Sequence, residues 1–231
     1  MTRTARELLE STTGKLAPDP HANRLLPLIA RGAARRSTLA ALALEQRHVV
    51  AADRRAFLHL AERSAAGTET SAAAPESAAF FAMLAEGEAL AQDRLGAYVA
   101  AVGVDEAQEA AYQPLADCQT YPAYVAWLAL NGSPADVVLA LSANFAAWGG
   151  YCATIAQALR RRYGFADEAC GFFDFFAEPA ADLEQKALAA VQAGLDTGQV
   201  SEDAVQHYGR LLQAYEAKFW HALWEWDQRV A

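Results

Sequence analysis

The sequence contains little of what several common protein classes require. Its cysteines number three and its methionines two, and the cysteine spacing fits neither a zinc motif nor a disulfide framework. No run of alternating Val, Ile or Thr predicts a strand. No 18 apolar residues follow one another, and the N-terminus is not a signal-peptide pattern, so we expect no membrane span and a cytoplasmic location.

The charge is unbalanced towards acid, which bears on partners. Lys and Arg total 19 against 28 Asp and Glu, giving a formal net charge of −9. An acidic surface repels phosphate backbones, so we expect no nucleic-acid partner. Hydrophobic residues make up 54% of the chain, which is enough for a sizeable core.

Long apolar-periodic windows, separated by Gly and Pro, predict an all-α protein. Because no linker or shift in composition divides these windows, we predict one domain over residues 1–231, a compact helical bundle. Residues 105–117 are predicted as a connection with a helical turn, and Ser37 or Thr38 as the N-cap of the third helix. The predicted helices are 5–11, 23–31, 37–64, 75–102, 121–130, 135–163, 167–176, 180–197 and 201–229.

The last predicted helix carries a carboxylate on its apolar side. Glu216 shares a stripe at helical spacing with Leu212, Phe219, Trp220 and Leu223. A carboxylate that faces a core loses solvation unless it finds a partner or its pKa rises, and enzymes use such groups for proton transfer. The alternative is that Glu216 lies at the edge of the stripe and reaches water.

Two further helices place acidic groups among apolar neighbours. Glu45 and His48 are three residues apart and can line a pocket together, or they can form a solvated stripe. Glu88 follows the apolar series of the fourth helix, so it either points inward or lies at the edge or beside an Arg, whereas Glu86 and Asp93 fall off the series. The Glu45-x-x-His48 spacing is that of di-iron bundles, which need it twice. Since the sequence has no second Glu-x-x-His, we predict no metal site and no cofactor.

Nucleophilic motifs are missing from the sequence. There is no Gly-x-Ser-x-Gly elbow and no phosphate-cradling glycine loop. Cys152 follows Tyr151 without a nearby basic residue, so we predict an inert buried thiol. The adjacent Gly149 and Gly150 indicate a close neighbouring backbone, a ligand or a kink in the middle of their helix.

The order of these features resembles the TenA/thiaminase-II family, which has a heme oxygenase-like fold. The closing Glu216-Ala-Lys-Phe219-Trp220 is similar to the family's terminal Glu-x-x-Phe-Trp, whose Glu is a catalytic acid/base. Tyr121-Pro-Ala-Tyr124, with Asn131-Gly132 behind it, is similar to the family's Tyr-x-x-Tyr helix, whose first Tyr lines the pocket. Glu45 and His48 stand where the family has an Asp and a Tyr that contact the pyrimidine.

The resemblance breaks on the sixth predicted helix. Twelve residues after Gly132, Asn144 stands where the family has its nucleophilic cysteine, and Trp148 stands where it has a Tyr. Asn cannot be the nucleophile of a covalent route. A branch of the family lacks this cysteine and uses carboxylates instead, so the chain resembles a divergent member of that kind.

The resemblance implies a cysteine-independent hydrolase that acts on an aminopyrimidine or a related thiamine-breakdown compound. Glu216 and Glu45 are then the catalytic carboxylates, and the predicted substrate-binding residues are Tyr121, His48, Asn144, Trp148, Tyr124 and Glu88. A homodimer or homotetramer is expected, because family members often form them. Two alternatives stay open: a metal-dependent oxidase of the same fold, and a protein that binds a small molecule without turnover.

Overall fold

A computed structural model describes residues 3–19, 21–67 and 74–229. These ranges contain helices, one 3₁₀ turn and connecting loops, and no strand. The all-α prediction is therefore confirmed for the described chain. The helices are α1 (Ala5–Lys15), α2 (Leu26–Ala30), α3 (Arg36–Ala66), α4 (Pro75–Ala101), α5 (Glu106–Ala111), α6 (Thr120–Asn131), α7 (Pro134–Tyr163), α8 (Asp167–Ala177), α9 (Ala181–Asp196) and α10 (Glu202–Arg229), with the 3₁₀ turn at Ala116–Gln119.

Local sequence explains where most helices begin and end. Proline occupies the first turn of α4 and α7, where its missing N–H costs nothing. Gly67 ends α3 and Gly164 ends α7, both with positive φ, which only glycine adopts without strain. The predicted ends of these long helices are therefore confirmed to within two residues.

The region predicted as a connection holds more structure than expected. Asp105 accepts a hydrogen bond from the backbone N–H of Gln108, and the Gln108 side chain accepts one from the Asp105 N–H, which is a capping box at the start of α5. The 3₁₀ turn follows after Pro114. The helical turn predicted between residues 105 and 117 is present as α5, whereas the 3₁₀ turn was not predicted.

The start of α3 also differs from the prediction. Its N-cap is Arg35, not Ser37 or Thr38, and no side chain of the N-cap residue bonds to the helix. Instead the Asp227 carboxylate of α10 accepts two hydrogen bonds, one from the Arg35 N–H at 2.9 Å and one from the Thr38 hydroxyl at 2.6 Å. A carboxylate from a distant helix thus satisfies the N-terminus of α3, which local sequence could not indicate.

The second predicted helix is shorter than its pattern suggested. It begins at Leu26 instead of residue 23, because the Asn23 side chain accepts a hydrogen bond from the Leu26 N–H at 3.0 Å and holds the preceding residues in a turn. Asparagine competes with helical hydrogen bonds in this way.

The glycines in the middle of α7 allow a close approach of α8. A Cβ added to Gly149 would lie 3.1 Å from the Phe176 carbonyl oxygen, whereas one added to Gly150 would meet nothing within 4 Å. The prediction of a close neighbouring backbone is confirmed at Gly149. By length and composition alone α7 could cross a membrane, as core helices often can, and 47% of its most apolar window is buried inside the protein.

The helices that carry the predicted site residues meet in one region. α10 packs against α3, α6, α7 and the 3₁₀ turn, and α3 packs along α4 and α6. The fold thereby brings together residues that are far apart in sequence, from α3 to the C-terminal helix. Two hydrophobic clusters form the core, and their largest fully buried side chains are Trp220, Tyr98, Phe172 and Phe173 in one and Phe57, Phe80 and Phe81 in the other.

Candidate active site

A chain of hydrogen bonds joins α6, α7 and α10 at Glu216. The Tyr121 hydroxyl donates to Asn144 Oδ1 at 3.0 Å, and Asn144 Nδ2 donates to Glu216 Oε2 at 2.7 Å. On the other carboxylate oxygen, Oε1, the Trp220 indole N–H donates at 3.3 Å. Asn144 thus bridges a phenol and a carboxylate, and its two ends bind different partner types.

The environment of Glu216 favours a proton-transfer role. Burial raises the pKa of its carboxyl group above the ordinary value, while the hydrogen bonds from Asn144 and Trp220 oppose part of that rise. A carboxyl group with a raised pKa exchanges protons closer to neutral pH than an exposed one. The predicted position of Glu216 on the apolar side of its helix is confirmed, and its side chain is half-buried, so it also lies at the edge that the alternative described.

Glu216 also borders a cleft. The cleft has a volume of about 220 Å³ and lies between α10, α7 and the segment that connects α1 to α2. Part of its lining is aromatic, and part is the small, apolar surface of alanines. The lining residues are Pro18, Asp19, Ala22, Asn23, Tyr151, Gln213, Ala214, Glu216, Ala217 and Trp220.

A second acidic group lies behind Tyr121. Asp53 of α3 and Glu88 of α4 interact with each other, and burial raises the pKa of Asp53 to about 8. Burial, and then the charge of Asp53, raise the pKa of Glu88 well above its usual range. Both carboxyls, with Glu216, add to burial in raising the pKa of the Tyr121 hydroxyl. The Tyr121 hydroxyl therefore stays neutral and donates to Asn144.

The inward orientation of Glu88 is confirmed, and the exposed positions of Glu86 and Asp93 are confirmed with it. Asp53 was missed as a candidate. The signal was available, because Asp53 shares a face of α3 with the buried residues Phe57 and Leu60 at helical spacing.

Glu45 is fully buried, and several donors surround it. One oxygen accepts from the Tyr112 hydroxyl and the Leu115 N–H, each at 2.7 Å, and the other accepts from Gln119 Nε2 at 2.8 Å. These donors belong to the segment between α5 and α6. Glu45 therefore fixes that segment onto α3, and it shares no hydrogen-bond partner with Glu216 within the described ranges.

The remaining predicted residues lie at different distances from this network. Trp148 packs beside it, with its ring centroid 6.1 Å from that of Trp220. Tyr124 is buried, its ring centroid is 5.2 Å from that of Tyr215, and it does not line the cleft beside Glu216. His48 is exposed and stacks on Tyr112 at 6.4 Å, so the structure does not bring it to Glu216.

The cysteine thiols lie in the protein interior. All three cysteines are buried and free. Burial, and then the charge of Glu216, raise the pKa of Cys152 well above its usual range, which confirms an unreactive thiol. Within the described ranges, no three His, Cys, Asp or Glu side chains come together as a group that could hold a metal ion.

Comparison with known proteins gives matches at the level of structure. No family model matches the sequence, and no curated protein matches it either. A domain of unknown function with a heme oxygenase-like fold from Shewanella denitrificans OS217 is similar with a TM-score of 0.71 and 15% identity, over 96% of this chain and 91% of that chain. A TenA homologue from P. horikoshii OT3 is similar with a TM-score of 0.63 and 13% identity, over 96% of each chain. The chain therefore has a heme oxygenase-like fold, as the resemblance implied, and shares it with a TenA homologue.

Proposed function

We propose that the protein is a TenA-like hydrolase that acts on an aminopyrimidine or a related thiamine-breakdown compound without a cysteine nucleophile. The observation that carries the proposal is the half-buried carboxyl group of Glu216 at the edge of the cleft, held by Asn144 and Trp220. The ligand class is the one that the resemblance of Glu216-Ala-Lys-Phe219-Trp220 to the TenA motif implies, and a TenA homologue shares the fold.

In the proposed reaction, water displaces an amine from the substrate. The oxygen of water forms a bond to the substrate carbon while Glu216 accepts the water proton. The C–N bond then breaks, and Glu216 returns the proton to the departing amine. The carboxyl group ends in its starting state, so one residue serves both halves of the reaction.

Asn144 takes a different part from the cysteine that the family pattern has at its position. Its Nδ2 holds Glu216 Oε2, and its Oδ1 is held by the Tyr121 hydroxyl, so the amide cannot rotate without losing both bonds. Asn144 therefore positions the acid/base group. The other carboxylate oxygen, Glu216 Oε1, accepts only the longer hydrogen bond from Trp220. This oxygen is therefore available to a ligand.

Glu45 enters the proposal as a positioning residue. The donors around Glu45 come from the segment between α5 and α6. By binding them, the Glu45 carboxylate fixes the segment that leads into α6, the helix that carries Tyr121. Direct contact between Glu45 and a ligand amino group would require one of these donors to move aside.

The oxidase alternative has less support. It needs a metal held by Glu45, His48 and Glu88, but His48 is exposed against Tyr112 and Glu45 is engaged by three donors. A binding protein without turnover would use the same cleft, and only an assay separates it from a hydrolase.

The test is release of ammonia or amine from a panel of aminopyrimidines and thiamine, with the protein in buffer that contains a chelator. We expect hydrolysis of at least one aminopyrimidine under these conditions. Turnover that requires added ferrous iron would favour the oxidase. Saturable binding without product would favour the binding protein.

A further inference from the structure

The cleft beside Glu216 contains a second polar feature, which the proposed reaction does not use. Asn23 lies in the segment between α1 and α2, lines the cleft and is only 5% exposed. Its Oδ1 accepts from the Leu26 N–H at 3.0 Å, which fixes the orientation of the amide. Its Nδ2 has no hydrogen-bond partner among the described residues.

Gln213 repeats this feature on the facing helix. It precedes Glu216 by three residues on α10, so both side chains lie on one face of the helix, and both line the cleft. Its Nε2 is also buried and also has no partner in the part of the chain that the structure describes. Buried amide donors without partners are rare in folded proteins. Two of them around one cleft indicate a ligand that accepts hydrogen bonds.

The charge of the lining restricts the acceptor. Asp19 and Glu216 are the ionisable lining residues besides Tyr151, and the described lining contains no Lys or Arg. A carboxylate or phosphate ligand would meet repulsion there without a compensating cation. A neutral acceptor, such as a ring nitrogen, meets none. The half-buried aromatic ring of Tyr151 suits a flat ligand.

We propose that Asn23 and Gln213 are specificity-determining residues that donate hydrogen bonds to ring nitrogens of a neutral, planar nitrogen heterocycle, whose amino group faces Glu216. This inference rests on the proposed function and deepens it, because it names the groups that distinguish a heterocycle from a carbocyclic amine. A site built to donate hydrogen bonds rejects an analogue that lacks the acceptor, since its donors then remain unpaired.

The test compares two probes by titration calorimetry at pH 7.5. The first is 2-methylpyrimidin-4-amine, and the second is 3-methylaniline, which has the same substituents on a ring without nitrogen. We expect the wild-type protein to bind the pyrimidine about 10-fold or more tightly than the aniline, the effect of an unpaired buried donor.

Two variants remove the donors separately. Asn23→Asp keeps an oxygen for the Leu26 N–H and replaces only the unpartnered NH₂ group, so α2 retains its hydrogen bond. Gln213→Met removes the second donor at similar size. Each variant should lose most of the preference for the pyrimidine while its affinity for the aniline stays within about 3-fold of wild type. Gln228→Met, at an exposed position of the same helix, is the matched control and should bind both probes as the wild type does.

The outcomes separate this inference from the proposed reaction. Equal wild-type affinities for the two probes, no binding of the pyrimidine, or an undiminished preference in both variants would overturn the role of Asn23 and Gln213. A donor-dependent preference in a protein that hydrolyses no aminopyrimidine would uphold that role and refute the hydrolase.

Discussion

The buried pair of Asp53 and Glu88 predicts an unusual dependence of stability on pH. Burial raises the pKa of Asp53 from 3.8 to about 8. Between these two values the folded protein keeps a proton that the unfolded chain releases, so the free energy of unfolding falls as pH rises. The contribution is complete below pH 3.8 and is lost as pH rises through about 8.

The magnitude follows from proton linkage. One proton corresponds to about 1.4 kcal/mol for each pH unit. From pH 6.0 to 7.5, Asp53 alone should therefore lower the free energy of unfolding by about 2 kcal/mol, and Glu88 acts in the same direction. Asp53→Asn has the same shape and does not titrate, so the variant should gain about 2 kcal/mol relative to wild type over this interval.

The assay is urea unfolding of both proteins at pH 6.0 and pH 7.5, monitored by circular dichroism. Asp93→Asn, at an exposed position of α4, is the control and should follow the wild type at both pH values. A difference between wild type and Asp53→Asn that does not change from pH 6.0 to 7.5 would show that Asp53 is already ionised, and it would refute the buried-pair account.

Other substitutions test the packing and the hydrogen bonds. Gly150→Ala should stabilise the protein by up to about 1 kcal/mol in thermal unfolding, because alanine favours the helix and the space is open, whereas Gly149→Ala should gain less or lose stability against the backbone of α8. Equal effects at the two glycines would contradict the close approach. Asp227→Ala should cost about 1–2 kcal/mol in the same assay by removing the acceptor at the start of α3, and an unchanged midpoint would contradict that role. Asn144→Leu should cost about 2–3 kcal/mol and lower hydrolysis, because both of its partners lose a buried hydrogen bond, and wild-type turnover would argue against positioning by Asn144.

The sequence was a good guide to the helices, for physical reasons. The apolar period and the Gly and Pro breaks are local signals, and they predicted the long helices α3, α4, α7 and α10 to within two residues at each end. Non-local contacts escaped the same reasoning. The hydrogen bond from the Arg35 N–H to Asp227 joins the start of α3 to the end of α10. A local sequence pattern cannot predict a contact between residues so far apart in the chain.

The site was predictable where a residue's position on its helix decides its environment. Glu216 follows an apolar stripe and is half-buried, and the same argument placed the half-buried Glu88 inward. It could not reveal that Glu45 is held by Tyr112, Leu115 and Gln119, because those donors come from a segment without a strong pattern. Asn23 was missed for a similar reason, since it lies in a loop whose course depends on tertiary packing.

The central claim is that Glu216 transfers protons to a ligand in the cleft, and Glu216→Gln tests it most directly. The variant keeps the size of the side chain and an oxygen that can accept from Asn144 Nδ2. Binding of the aminopyrimidine substrate and its hydrolysis should be measured on the same preparation, with Glu225→Gln on α10 as the control. The account predicts that Glu216→Gln binds within about 10-fold of wild type and hydrolyses at least about 100-fold more slowly. Hydrolysis at the wild-type rate by Glu216→Gln would contradict it.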